Sequence, residues 1–269
     1  MTIEYRVVED PEELKAIVDL QTIVWSMPAS EAVPHNMLFA IVHGGGNVIR
    51  ADLDGELVGF SLGLAALHGD EHWLWSHMAG VVPGHQGKGI GSGIKYAQRR
   101  WALDHGYKVI AWTFDPLQRG NANFNMHILK AAASTYHVNF YGNMTDGINA
   151  GMPSDRMEAV WDLLAEPVIA AEATPATAPI VTDFPRESFL VYSDDDGLPH
   201  VQLPSAWTNR YYFAEIPTQI SKLKRENLPQ AQAWQAALRQ AAGGAFAQGY
   251  KAVDFADEGQ RCWYILEKS

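Results

Sequence analysis

The chain has a single cysteine, Cys262, which excludes an intrachain disulfide and fits a reducing compartment. Long apolar runs are missing as well: no stretch approaches the roughly 20 residues that span a bilayer. The opening, MTIEYRVVEDPEEL, has no basic region followed by an apolar core. A soluble, cytoplasmic protein with no membrane partner is therefore expected. Basic residues are scarce, with 20 Lys and Arg against 31 Asp and Glu, a formal net charge of -11. That excess of acid disfavours nucleic acid as a partner, though it leaves room for a local basic site. The histidines show neither an HExxH pattern nor short paired spacings with carboxylates, so no metal site is expected.

What remains is ordinary globular material. The hydrophobic fraction of 47% over 269 residues is enough for one large domain or two small ones. Residues 3–8 read as a strand. Asp10-Pro11-Glu12-Glu13 reads as a helix start, with an N-cap, a proline in the first turn and acids at the positive end of the dipole. Leu14, Ile17, Val18, Ile23 and Val24 give that helix its apolar face. A second helix over 34–42 stops at three glycines. Asp54-Gly55 marks a hairpin between strands 47–53 and 56–66. Further strands are expected at 72–82 and 108–114, a helix near 90–105, a helix from Asn121 to about Ala132, and a strand at 136–141. Periodicity leaves 156–164 open between strand and helix.

The most informative passage is Pro83-Gly84-His85-Gln86-Gly87-Lys88-Gly89-Ile90-Gly91-Ser92-Gly93, between a strand and an amphipathic helix. A diphosphate needs several N–H donors at close range. Glycines let the backbone approach and adopt positive φ, and the helix adds free N–H groups and its positive end. Lys88, Lys95, Arg99 and Arg100 fall between Pro83 and Leu103 with no acid among them, reversing the charge of the whole chain. A dinucleotide fingerprint would need GxGxxG, but position 92 is Ser. A nucleotide P-loop would need Ser or Thr after Gly87-Lys88, where Gly89 stands. The competing reading is a purely structural glycine loop.

The passage resembles the hallmark of GNAT acetyltransferases, a strand ending V-x-P followed by Q/R-x-x-G-x-G/A, with Gln86, Gly89 and Gly91 at the hallmark positions. The order of strands and helices is similar over roughly 1–165. Asp115-Pro116-Leu117, Asn121-Ala122-Asn123-Phe124-Asn125, Tyr141-Gly142 and Pro153-Ser154-Asp155-Arg156 look like a GNAT group with a C-terminal extension and no assigned substrate. The resemblance implies an α/β (α+β) GNAT fold, a mixed central sheet flanked by helices, and an acetyl-CoA-dependent N-acetyltransferase acting on a small-molecule acceptor, an amine or amino-acid-like compound. It implies that the backbone of Gly80, Val81 and Val82 pairs with the pantetheine arm, that the N–H groups of Gln86, Gly87, Lys88, Gly89, Ile90 and Gly91 bind the pyrophosphate, and that Asn121 or Asn123 lies near the thiol end.

Acetyl transfer needs a base for the amine and an acid or stabiliser for the departing thiolate. Strict alternation puts Trp73, Trp75, His77, Ala79 and Val81 on one face of the 72–82 strand. His77 is the candidate base, since an imidazole titrates near neutrality; a buried histidine satisfied by a neighbouring backbone group is the other open reading. GNAT enzymes often place a Tyr acid after the asparagine helix, where this chain has none until Tyr136 and Tyr141. Tyr141 is the candidate, and the gap motivates an alternative, a non-catalytic acyl-CoA sensor or scaffold. Trp75 and Arg156 are candidate acceptor contacts, Arg156 as a carboxylate clamp or as a member of an internal ion pair.

Three segments are expected: a GNAT domain over 1–165, an Ala/Pro/Thr-rich crossing segment over 166–183, and a C-terminal α/β half over 184–269. In that half Gly249-Tyr250-Lys251 echoes Gly106-Tyr107-Lys108 after a helix, which suggests a degenerate second GNAT-like unit without the phosphate loop.

Overall fold

The computed structural model describes residues 2–142, 151–174 and 184–269. Part of the expected crossing segment, 175–183, and residues 143–150 lie outside them. Contacts divide the chain into two compact units, Met1–Trp112 with Asp162–Ala165, and Thr113–Trp161 with Glu166–Ser269.

The first unit begins with strand β1 (Ile3–Val7), helix α1 (Pro11–Trp25), helix α2 (His35–His43), and strands β2 (Asn47–Leu53), β3 (Glu56–His68) and β4 (Glu71–Val81). Helix α3 (Ile90–Asp104) and strand β5 (Val109–Phe114) follow, the last two residues of β5, Thr113 and Phe114, falling in the second unit. The expected helix start is present: Asp10 caps α1 by accepting from the Glu12 N–H at 2.8 Å, leaving one fewer orphan donor in the first turn. The hairpin turn has Asp54 and Gly55 both at positive φ, 50° and 86°, as a two-residue I′ connection requires. Strands β1 to β4 pair antiparallel in sequence order, and β4 pairs β5 in parallel. The sheet is therefore mixed.

Alternation along β2 and β3, reversed on β3 by a bulge at Val58 where the register with β2 slips, feeds both sides of this sheet. On one face Val48, Phe60 and Leu62 pack with Leu14, Ile17 and Leu20 of α1 and Leu38 of α2. On the other, Ile49, Ala51 and Val58 pack with Ile90 and Ile94 of α3. Each fully buried Leu, Ile or Phe contributes about 1.5–3 kcal/mol, so the two helical layers are fixed by these side chains. Ile23 is half exposed and lies off the α1 face that periodicity assigned to it; Leu20 is buried in its place.

The second unit contains helix α4 (Arg119–Ala122), continued by a π-helical segment over Asn123–Ile128, then β6 (Ala132–His137) and β7 (Arg156–Asp162). Helix α5 (Glu166–Ala173), β8 (Phe189–Ser193), β9 (Pro199–Val201), β10 (Tyr211–Ile216), α6 (Ile220–Glu226), α7 (Leu228–Ala247), β11 (Tyr250–Asp257) and β12 (Cys262–Lys268) follow. Its strands run β7-β6-β11-β12-β10-β8-β9. Residues 156–162 are a strand, which resolves the ambiguous periodicity, and the strand expected at 136–141 begins earlier, at Ala132.

Gly106 and Gly249 both close helices at positive φ, 83° and 81°, so the shared Gly-Tyr-Lys has the same local role twice. The strands around it differ. β4 and β5 pair directly, whereas β12 lies between β10 and β11, antiparallel to both.

Candidate functional site

The glycine loop connects β4 to α3 in the first unit. Gly84, Gly87 and Gly89 have φ of 87°, 74° and 80°, a region costly for residues with a Cβ. His85 N–H donates to the Val82 carbonyl at 3.0 Å, and the side-chain amide of Gln86 donates to the Val81 carbonyl at 3.0 Å. The loop thus folds back onto the strand that feeds it. Gly89 is the N-cap of α3 and offers no side chain to the first-turn N–H groups, so these stay available to an anion. His85 Nδ1 is buried with no hydrogen-bond partner among the described residues. Lys88 is exposed on the loop.

The basic patch read from the sequence does not form. Helical spacing turns Lys95 and Arg99 to the face of α3 that packs on the sheet. Lys95 is 2% exposed, and Arg99 donates to the Leu163 carbonyl. Gly93 faces β1: a Cβ there would lie 2.1 Å from the Tyr5 hydroxyl, so this glycine serves close packing.

Strand β4 departs from simple alternation. Leu62 pairs with Met78 and Gly63 with Ser76, leaving His77 opposite no residue of β3. This one-residue bulge reverses the facing of the strand on either side of it. Met78 packs toward α1 and α2, while Ser76, two residues earlier, bonds to Lys95 and Gln98 of α3. Trp73 and Trp75 therefore do not share the face of Val81, and His77 sits at the break. The imidazole is solvent-accessible, yet partial burial lowers its pKa below the ordinary 6.5, so it is neutral at pH 7.

The backbone pattern narrows the strand-edge donors. Val82 N–H donates to the Val58 carbonyl of β3 at 2.8 Å, and Gly80 stands two residues away opposite Phe60. Both turn their polar groups inward, and Val81 turns its own to the edge away from β3. That edge is open: among the described residues the parallel pairing with β5 covers Leu74–Ile110 and Trp75–Ala111, although β4 runs on to Val81.

The remaining candidates belong to the second unit. Asn121 is exposed on α4, and Asn123 begins the π-helical segment. The Tyr141 hydroxyl lies 3.1 Å from Thr113 Oγ1, and the Arg156 guanidinium sits over its ring, 5.3 Å from the centroid. The Asp155 carboxylate pairs with Arg239, whose guanidinium makes two bonds to it, at 2.9 and 3.0 Å, while Arg156 donates to the Asp155 main-chain carbonyl at 2.8 Å. The candidate catalytic pair thus comes from different units, His77 from the first and Tyr141 from the second. Sequence reasoning missed the His77 bulge, the Lys95 cluster and the Arg239–Asp155 pair. None of these has a local signature, because each depends on a partner distant in the chain. A cavity of about 350 Å³ in this unit borders Ile216, Pro217, Thr218 and Gln219, the glycine-free loop after β10.

No curated protein matches the chain significantly. Among solved structures, an N-acetyltransferase from Staphylococcus aureus Mu50 is similar at 14% identity and a TM-score of 0.50, over 61% of this chain and 99% of that one. A probable acetyltransferase from Staphylococcus epidermidis ATCC 12228 matches at 13% and 0.50, over 60% and 98%. The yncA protein of Salmonella typhimurium, whose structure holds its cofactor acetyl-CoA, matches at 16% and 0.49, over 61% and 95%. At these identities the first two similarities speak to the fold. Residues 14–125 match the family model of the acetyltransferase (GNAT) family, and the chain thus carries a domain of that acyltransferase class.

Proposed function

We propose that the chain transfers the acetyl group of acetyl-CoA to the nitrogen of a small amine or amino-acid-like acceptor, by direct attack in a ternary complex. The observation that carries the proposal is the loop over 83–89. Three glycines at positive φ deliver the uncapped N-terminus of α3 beside the open edge of β4. N–H groups from Gln86 to Gly91 hold the pyrophosphate, and Lys88 adds charge. The fit rests on the missing cap at Gly89, on the open space that a Cβ at Gly84 or Gly87 would find, and on the unpartnered His85 Nδ1. Val81 offers its backbone to the amide of the pantetheine arm, as an added strand would.

His77, neutral at pH 7, takes a proton from the acceptor ammonium. The free amine attacks the thioester carbonyl carbon, an N–C bond forms, the C–S bond breaks, and CoA leaves as a thiolate that Tyr141 protonates; the proton the attacking nitrogen sheds as the amide forms passes through water to the tyrosinate and restores it. Asn121 or Asn123 orients the thiol end, and Trp75 and Arg156 contact the acceptor. The other reading, acyl-CoA binding without transfer, draws on Tyr141, whose hydroxyl lies within bonding distance of Thr113. Incubation with acetyl-CoA and a panel of primary amines and amino acids separates the two. Amine-dependent release of free CoA thiol is expected. Acetyl-CoA binding with no thiol release from any amine would establish the sensor reading instead.

A further inference from the structure

Lys95 is the feature of the first unit that the loop does not explain. It projects from α3 into the interior and is 2% exposed. Its Nζ lies 2.9 Å from Ser76 Oγ and 2.9 Å from Gln98 Oε1, and the Ser76 hydroxyl in turn donates to Gln98 Oε1 at 2.9 Å. The same Nζ sits 3.9 Å from the ring centroid of Trp112. Gln98 continues the cluster to β2, donating to Asn47 Oδ1 at 3.2 Å.

The two strand residues that Lys95 touches have a shared position. Parallel pairing of β4 and β5 covers Leu74–Ile110 and Trp75–Ala111. Ser76 is the next residue of β4, and Trp112 the next of β5. One side chain therefore grips both strands at the step where their pairing stops, immediately before the bulge at His77. Burying an amine is costly, and an apolar side chain of the same length would be cheaper there. Desolvation brings the Lys95 pKa down to about 7. What lysine supplies over Leu or Met is reach combined with donors: a hydroxyl on one strand, an indole face on the other, and an amide on its own helix.

We propose that Lys95 is a positioning residue that fixes the fork between β4 and β5 and so shapes the slot taken by the thioester arm of acetyl-CoA. The proposal rests on the acetyl-CoA reading above. It assigns Lys95 to the arm and not to the pyrophosphate, because its head group lies at the fork while the loop is held separately, by Gln86 and His85 on Val81 and Val82.

The test uses calorimetry on the whole chain with two probes: acetyl-CoA, and 3′-phospho-ADP, which keeps the nucleotide and pyrophosphate but lacks the arm. Lys95→Met keeps the stem and removes the donors. It is expected to weaken acetyl-CoA by about tenfold, the scale of a lost hydrogen bond to a charged group, and to leave 3′-phospho-ADP within about twofold. A loss for acetyl-CoA less than about threefold greater than that for 3′-phospho-ADP would overturn the proposal. Should Lys95→Met not fold, Ser76→Ala removes one grip with little change of volume and is judged by the same ratio. Failure of the unaltered protein to bind acetyl-CoA is a separate result, which would sink the functional reading itself.

Discussion

The side-chain amide of Gln86 donates to the main-chain carbonyl of Val81 over 3.0 Å. The residue at the first hallmark position therefore ties the glycine loop to the last residue of β4 instead of reaching outward. Removing the tie loosens the loop without touching the reacting atoms. For Gln86→Ala the KM for acetyl-CoA is expected to rise a few-fold with kcat nearly unchanged, since one such bond is worth about 0.5–1.5 kcal/mol. Steady-state kinetics with acetyl-CoA varied at saturating acceptor checks this; a fall in kcat at constant KM would contradict it.

In the proposed mechanism His77 sets the pH dependence. Its folded pKa lies below 6.5 because partial burial disfavours the charged ring. As base it must be neutral, so the rate is expected to be flat above pH 6.5 and to fall on the acid side. His77→Gln should lower kcat by about 10²-fold or more and remove that limb. The stability linkage has the same sign. As pH falls, the unfolded chain takes up the proton first, so the contribution of this group is full above 6.5 and declines as pH drops toward the folded pKa. An unchanged rate–pH profile in His77→Gln would exclude it as the base.

Asp155 tests the framework of the second unit. Its side chain is fully buried and accepts from Arg239, from the Tyr136 hydroxyl at 2.9 Å and from the Asn139 N–H at 3.0 Å. Burial and, after it, proximity to this carboxylate push the Tyr136 pKa far upward. Arg239→Ala would strand the carboxylate and is expected to cost about 3–5 kcal/mol, read as a lower urea midpoint. A shift worth less than about 1 kcal/mol would show that the pair is no stronger than a surface one.

Cys262 is fully buried, and burial pushes its thiol pKa up to about 12. The thiolate is the reactive form, so the folded protein is expected to be inert to a disulfide reagent at pH 8 and to react with one equivalent once unfolded in guanidinium. Rapid labelling of the folded chain would contradict this. The same inertness keeps the protein's own thiol out of a CoA-release assay.

What the sequence revealed follows physical range. The Asp10 cap, the Asp54-Gly55 turn and the glycine loop are local devices, and each was readable because a few adjacent residues impose it. The bulge at His77 was not, because alternation assumes an unbroken ladder and the missing partner belongs to β3. Charge alone reads Lys95 and Arg99 as a patch for an anion, because charge is visible in the sequence while the buried face of α3 depends on the sheet beneath it. The π-helical turn after Ala122 and the pairing of Asp155 with a residue 84 positions away lack local signals for the same reason. The hallmark thus marks the glycine loop but not which neighbouring charges turn toward it.

The proposed function requires this loop to bind acetyl-CoA through its backbone. Isothermal titration of acetyl-CoA into the unaltered chain and into Gly89→Glu tests it most directly. Gly89 has φ of 80°, and the nearest atom to an added Cβ is Ser92 Oγ at 4.0 Å, so the variant has room to fold. It strains the cap by about 1–2 kcal/mol and sets a carboxylate against the pyrophosphate. The expected result is one saturable site in the unaltered protein and a loss of about 100-fold or more in the variant. No heat of binding in the unaltered protein, or equal binding in both, would contradict the account.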